Sequence, residues 1–200
     1  CTGDPARRMG NDYLFQTLAQ QSIETLNNYQ VKKIVTICPH CFNTMKNEYP
    51  QFGGTYEVLH YSQFVDGLIG EGKIKPIKMI ESNVAYHDSC YLGRHNGVYD
   101  EPRDVVKSVP GLNLIEMEPH CRGQGFCCGA GGGHMWLEES GGTRVNHTRT
   151  DHFLGTGADT VAVSCPFCLQ MLTEGIQAKG LEGEKQALDV LEILADSLEE

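Results

Sequence analysis

The sequence predicts an α/β fold built twice, with a parallel sheet in each half. Three observations carry this. Short β-branched apolar runs alternate with helical stretches along the chain. A segment repeats: IVTICPHC, ending at Cys41, matches VAVSCPFC, ending at Cys168. Its cysteines keep one offset, with Cys1, Cys38 and Cys41 each lying 127 residues before Cys128, Cys165 and Cys168.

In chain order, residues 10–28 read as a helix, with Leu14, Leu18, Ile23 and Leu26 on or near one face. The run ending at Ile37 reads as a buried parallel strand. Pro39 suits the first turn of a helix over 39–49. Residues 56–59 form a short strand, and Ser62 caps a helix running to Ile69. Residues 70–78 form a loop between the halves. Residues 83–87 are a strand delivering Cys90. Residues 102–108 are helical, stopped by Pro110-Gly111, and 112–117 are a strand. Residues 141–153 are mostly helical. The second repeat gives a strand ending at Val163 and a helix over 166–178, and 190–198 closes the chain as a helix. The two repeats divide the chain into residues 1–72 and 73–200. Each C-P-x-C sits where a strand's carboxyl end meets a helix N-terminus. Open α/β sheets place ligands there, and backbone N–H groups there favour anionic sulfur.

Composition narrows the function. The formal charge is −10 and no basic run occurs, which argues against a nucleic-acid surface. No apolar run has the length of a membrane span, and no signal-peptide pattern is present, so a cytoplasmic location is expected. The chain starts at Cys1 rather than Met. This leaves room for an upstream segment carrying an anchor to the cytoplasmic face of a membrane, or a second cofactor domain. Nine cysteines is an odd number, and paired C-x2-C motifs suit a metal better than a disulfide framework.

The second half carries the densest chemistry. Cys90, Cys127, Cys128, Cys165 and Cys168 form the pattern C-x36-CC-x36-C-x2-C. Five thiolates exceed what one tetrahedral zinc needs, and adjacent cysteines chelate zinc awkwardly. A soft all-thiolate site with a surplus ligand points to an iron–sulfur cluster, with structural zinc as the alternative. The run CCGAGGG, starting with Cys127 and including Gly129, lets N–H groups point at sulfide or an anion; four glycines within five residues beside two cysteines make a plain turn the weaker reading. It is neither a dinucleotide fingerprint nor a P-loop. Cys121 stands outside the pattern and reads as a buried thiol. His87 and His134 flank the cysteines, either as hydrogen-bond donors to a cluster or as ordinary structural histidines. Arg7, Arg8, Arg94 and Arg144 either place positive charge near a cluster or solvate the surface. The sequon at Asn146 carries no meaning in an unexported protein, and no hydrolytic triad or carboxylate pair is present. One ambiguity concerns the first repeat. By spacing Cys1 matches Cys128, but by the following glycine Cys1-Thr2-Gly3 matches Cys127-Cys128-Gly129, which removes one ligand.

These motifs, together with CTGDPARRMGNDYLFQ, CPHCFNTMKNEYPQFGG, YHDSCYLGRHNGVYDEPR and SCPFCLQML, resemble the cysteine-rich "CCG" domain of heterodisulfide reductase and related iron–sulfur oxidoreductases. They look most like its membrane-bound branch, linked to electron-transfer flavoprotein and quinone. The resemblance implies two pseudo-symmetric, Rossmann-like lobes. It also implies a non-cubane [4Fe–4S] cluster on Cys90, Cys127, Cys128, Cys165 and Cys168. The first repeat, with Cys1, Cys38 and Cys41, is left with a second cluster, a zinc ion or an empty site. Implied partners are a flavoprotein or ferredoxin-type donor and a quinone or disulfide acceptor.

Overall fold

A computed structural model describes residues 1–137 and 141–198; residues 138–140 and 199–200, which belong to the expected second repeat, lie outside the described residues. The α/β class and the two parallel sheets are as expected. β1 (Lys33–Thr36) pairs in parallel with β2 (Glu57–His60). β3 (Ser82–Tyr86), β4 (Leu112–Glu116), β5 (Thr160–Val163) and β6 (Gln186–Asp189) form an all-parallel sheet in the order β4-β3-β5-β6. Chain order runs outward from β3 to β4 on one side and from β5 to β6 on the other. The topological switch point therefore lies between β3 and β5, the place where such sheets open a crevice at their carboxyl ends.

The helices follow from local chemistry. α1 (Asp4–Arg8) has Pro5 in its first turn, an acid at its start and two arginines at its end. α2 (Asp12–Asn28) is capped by the Asn11 side chain, which accepts from the Leu14 N–H at 3.1 Å. α3 (Pro39–Asn43) and α7 (Pro166–Ala178) each begin with the proline of C-P-x-C. α4 (Tyr61–Gly70) and α8 (Val190–Ala195) follow β2 and β6 directly, each through a capping box, one on His60 and Gln63, the other on Asp189 and Glu192. α5 (Glu101–Ser108) links β3 to β4, and α6 (Val145–Leu154) precedes β5.

Several bounds differ from expectation for physical reasons. The helix expected over 39–49 changes to a π-type turn at Thr44–Glu48 and a 3-10 turn at Tyr49–Phe52. Pro50 has no N–H and its ring crowds the preceding turn, so a regular helix cannot approach it. His60, not Ser62, caps α4; Ser62 lies inside the first turn, its Oγ 2.8 Å from His60 Nδ1. The helix expected over 141–153 starts at Val145, because Gly142 has φ +76. α8 stops at Ala195 rather than Leu198, and the Ser197 carbonyl instead accepts from the N–H groups of Ile77 and Lys78. α2 begins two residues later than expected, and α1 and β6 were not expected at all.

The four-stranded sheet is covered on both faces, as parallel sheets require. Ala85, Val161 and Val163 face Phe153, Met171, Leu172 and Ile176 of α6 and α7. Val84, Tyr86 and Ala162 face Val105, Val106, Val190 and Leu194 of α5 and α8. Tyr61 and Val65 of α4 join this second cluster, so the last helix of the first repeat packs into the larger core. Phe15, Ala19, Ile23 and Tyr49 make a smaller core of their own.

Candidate metal centre

The carboxyl ends of the parallel strands deliver cysteines to one place. Two residues after β1 comes Cys38, and two after β5 comes Cys165; each ends its strand in extended backbone and starts a helix. β3 leads through His87, Asp88 and Ser89 to Cys90. Cys127 and Cys128 arrive on the loop after β4, so the crevice between β3 and β5 is lined from both sides.

Seven sulfurs form a continuous row. Cys90 contacts Cys127, and Cys127 contacts Cys128. Cys128 and Cys168 lie 3.4 Å apart. Cys168 contacts Cys165, and Cys165 contacts Cys38, which contacts Cys41. The five cysteines of the second repeat and two of the first are thus neighbours, joined where Cys165 meets Cys38. Cys128, Cys165 and Cys168 are buried. Cys1 is exposed and outside the row, and Cys121 is buried but also outside it.

The thiols of Cys128 and Cys90 donate to Cys127 and hold its pKa far below the usual thiol value. Cys168 and Cys38 do the same for Cys165. The donors shift the other way: Cys90 and Cys128 rise through Cys127, and Cys168 rises through Cys128 and Cys165. Cys38 is pushed up to about 11, mainly by Cys165. Backbone donors support the thiolates. The Gly129 N–H lies 3.3 Å from the Cys127 sulfur, and Gly129 takes φ +96, where a side chain would meet Val145. Phe167 and Cys168 N–H groups, at the start of α7, face Cys165.

A buried cation and a buried donor beside it fit an anionic centre. Arg149 is fully buried, has no carboxylate within ion-pair distance among the described residues, and leaves Nη2 without a partner. His87 beside it is fully buried with Nε2 unpartnered. Unpaired buried charge is costly unless an anion compensates it, and a set of thiolates with bound metal is such an anion. The donor set therefore fits an iron–sulfur centre in soft ligand type, ligand number and surrounding charge.

The first repeat's ambiguity resolves on geometry. Thr2 Oγ1 lies 3.6 Å from the Cys41 sulfur, just as Cys128 faces Cys168, and Gly3 takes φ +86 as Gly129 takes +96. Thr2 thus occupies the place of Cys128, and Cys1 that of Cys127. Around it, Asp4 is buried and accepts from Arg8 at 2.8 Å and from Thr44 at 3.2 Å, with His40 Nδ1 at 2.8 Å. The His40 ring is held between Tyr91 and Phe167, at 4.2 Å and 5.0 Å between ring centroids.

Other expected residues fall elsewhere. His134 is exposed. Arg7 pairs with Asp12 at 2.6 Å, and Arg8 pairs with Asp4 and Glu48. Arg94 donates to the Gly125 carbonyl at 2.6 Å. The Asn146 amide is buried and donates to the Met171 carbonyl at 3.1 Å, so it is no sugar acceptor. Two arginines escaped sequence reading. Arg149 has no pattern around it that marks burial. Arg103 is fully buried and forks between Asp88, two residues before Cys90, and Glu116 at the end of β4. The triplet Glu101-Pro102-Arg103 opening a short helix gave no hint of that.

Comparison with known proteins places these residues in context. The family described as the cysteine-rich domain, CCG, matches residues 1–46 and 84–173. The chain is 50% identical to EtfAB:quinone oxidoreductase of Syntrophomonas wolfei, covering 100% of this chain and 29% of that protein. It is 47% identical to the probable iron-sulfur-binding oxidoreductase FadF of Bacillus subtilis, over 98% of this chain and 28% of that one. It is 35% identical to one polypeptide of the dihydromethanophenazine:CoB–CoM heterodisulfide reductase of Methanosarcina barkeri, over 99% of this chain and 49% of that one. The chain therefore spans between under a third and about half of the length of these relatives.

Proposed function

The chain belongs to the CCG cysteine-rich domain family, and on that premise we propose that it is the iron–sulfur module of an oxidoreductase, passing electrons from a flavoprotein or ferredoxin-type donor towards a quinone or disulfide acceptor. The observation that carries this reading is the convergence of five sulfurs from Cys90, Cys127, Cys128, Cys165 and Cys168 at the β3–β5 crevice beside one buried cation, Arg149, that lacks an ion-pair carboxylate among the described residues. Those five would hold a [4Fe–4S] cluster, non-cubane in the relatives that the motif resembles. When bound, the cluster supplies a one-electron carrier at the mouth of the sheet.

The chain's own residues prepare that site. Neighbouring thiols push the Cys127 and Cys165 pKa values down, which favours the deprotonated sulfur that metal binding needs. Gly129 gives its N–H to Cys127 and keeps the loop close. Ser89 Oγ sits 3.4 Å from the Cys168 sulfur as a further polar contact. Contact between Cys165 and Cys38 brings the first repeat within one sulfur of the second. With Thr2 in place of a cysteine, the first repeat offers Cys1, Cys38 and Cys41, a set that suits zinc or an incomplete cluster better than a second five-thiolate centre.

The repeats over 1–72 and 73–200 are proposed as units of duplication, not as separately packed bodies, since α4 packs into the larger core. The names of the relatives support electron-transfer flavoprotein and quinone as partners. An apolar recess of about 360 Å³ lined by Pro5, Met9, Gly132, Gly133, Trp136 and Leu137 adjoins the glycine loop and gives an apolar acceptor an approach. No described helix is long and apolar enough to cross a membrane. We place the module in the cytoplasm or at the cytoplasmic face of a membrane, working as part of a larger protein or complex. The test is electron paramagnetic resonance on anaerobically prepared protein. Cys128→Ala should abolish or convert the cluster signal while Cys121→Ala leaves it intact; an unchanged Cys128→Ala spectrum would overturn the ligand assignment.

A further inference from the structure

Behind the sulfur row lies a pair of buried side chains that nothing in the ligand pattern explains. His87 ends β3's run into the crevice, and its backbone N–H donates to the Ala162 carbonyl of β5 at 2.9 Å, which fixes its main chain. Its side chain is fully buried. A ring nitrogen of His87 lies with the Cys128 and Cys168 sulfurs inside a span of 4.8 Å. Arg149 Nε approaches His87 Nδ1 at 2.9 Å, and Arg149 Nη1 donates to the His120 carbonyl at 3.0 Å.

This contact decides the tautomer. A guanidinium nitrogen donates and never accepts. Nδ1 must therefore be the acceptor, and a neutral imidazole then carries its proton on Nε2. A protonated ring is excluded by the same contact, because it would set two N–H groups against each other. Nε2–H has no partner among the described residues, although buried donors are satisfied in the great majority of cases. The sulfurs of Cys128 and Cys168 share a 4.8 Å span with the ring and are the nearby groups able to accept once a centre is bound.

The same logic separates a hydrogen-bond donor from a metal ligand. A ligating histidine ordinarily gives its second N–H to a carboxylate or carbonyl. Here the second nitrogen receives a proton contact from a cation. Ligation through Nε2 would require an imidazolate. His87 therefore stands outside the ligand set as a donor to sulfur.

The cation behind it has a consequence. Arg149 has no carboxylate within ion-pair distance among the described residues; Asp88, further off, and the sulfurs of Cys168 and Cys128 are among the anionic groups that favour its charge. Both the donated proton and the buried cation bind a more negative centre more strongly. Hydrogen bonds to sulfur and local charge are the levers by which a protein sets an iron–sulfur potential. We propose that His87, locked as its Nε2–H tautomer by Arg149, donates a hydrogen bond to the sulfur of the centre held by Cys128 and Cys168 and, with Arg149 behind it, raises the reduction potential of that centre. This rests on the reading that these cysteines hold an iron–sulfur cluster, and it makes His87 and Arg149 positioning and tuning residues rather than ligands.

A redox titration followed by electron paramagnetic resonance on the anaerobically prepared full chain tests it. His87→Leu should favour the oxidised form about tenfold at fixed potential, about 59 mV for a one-electron couple. His87→Gln, which keeps an amide donor, should recover part of that shift, and Arg149→Met should lower the potential in the same direction. Electron–nuclear double resonance in deuterated buffer should show an exchangeable deuteron in wild type that His87→Leu lacks. Unchanged potentials in His87→Leu and Arg149→Met, or a strongly coupled nitrogen marking His87 as an iron ligand, overturns the inference while the cluster reading stands. If His87→Leu does not take up metal, His87→Gln and Arg149→Met carry the test on the same terms. A wild-type protein without iron or sulfide overturns the cluster reading, and this inference with it.

Discussion

Replacing Arg103 by leucine should unfold the protein at a distinctly lower temperature, and the structure gives the size. The guanidinium donates to Asp88 at 2.8 Å through each Nη, to Glu116 at 2.6 Å and 2.8 Å, and to the Tyr99 carbonyl at 2.7 Å. It also lies 4.7 Å from the centre of the Tyr86 ring. The Arg103 side chain is 0% exposed, Asp88 4% and Glu116 29%. Glu116 can turn to water when the cation is lost, but Asp88 stays buried with the Arg122 N–H at 2.6 Å. Removing one partner of such a buried pair costs about 3–5 kcal/mol, because it strands the other charge. For a chain of this size that lowers the melting temperature by roughly 6–20 °C. Circular dichroism melts of metal-free protein read the loss directly. Asp88→Asn in the Arg103→Leu background should restore part of it, since the stranded charge is then gone. A fall of under about 1 kcal/mol, the range of a surface ion pair, would refute the claim that this fork holds the strand end that presents Cys90.

Three further outcomes follow from other residues. Thr2→Cys restores the thiolate that the first repeat lacks opposite Cys41, and metal analysis should then show more metal per chain than wild type; an unchanged ratio would count against Thr2 as the counterpart of Cys128. Burial holds His60 near pKa 4, below its ordinary 6.5, so the folded state prefers it neutral. Its contribution is therefore complete above pH 6.5 and lost as pH falls towards 4, roughly 3 kcal/mol in all; urea midpoints over that range should drop, and His60→Gln should flatten the slope. Asp4 is disfavoured as an anion by burial, but His40 and Arg8 outweigh this and hold its pKa below 3.8. Its stabilisation is present above that value and lost on further acidification, so Asp4→Asn should lower stability at neutral pH and narrow the gap to wild type near pH 3.

Much of the architecture was legible because it is written locally. A β-branched run followed by C-P-x-C specifies a strand end and a helix start, and both copies appear where the repeat puts them, at Cys38 and Cys165. β6 was missed because QALD is short and half polar, yet it stands in the second repeat where β2 stands in the first, each followed at once by a capped helix. The irregular helix before Tyr49 hides in a single residue, Pro50, whose effect acts backwards along the chain. The charge partners were illegible for a deeper reason. Arg103 and Arg149 look like surface residues in sequence, and only the fold shows that both are buried against the cysteine-bearing strand ends. Equally hidden was the contact between Cys38 and Cys165, which turns two separate motifs into one row.

The central claim is that the five cysteines of the second repeat hold iron and sulfide. Iron, acid-labile sulfide and zinc measured together on anaerobically purified protein test it most directly. The account predicts a brown protein with iron and sulfide in near-equal amounts, lost together in Cys128→Ala. A colourless protein containing zinc and no sulfide would contradict it.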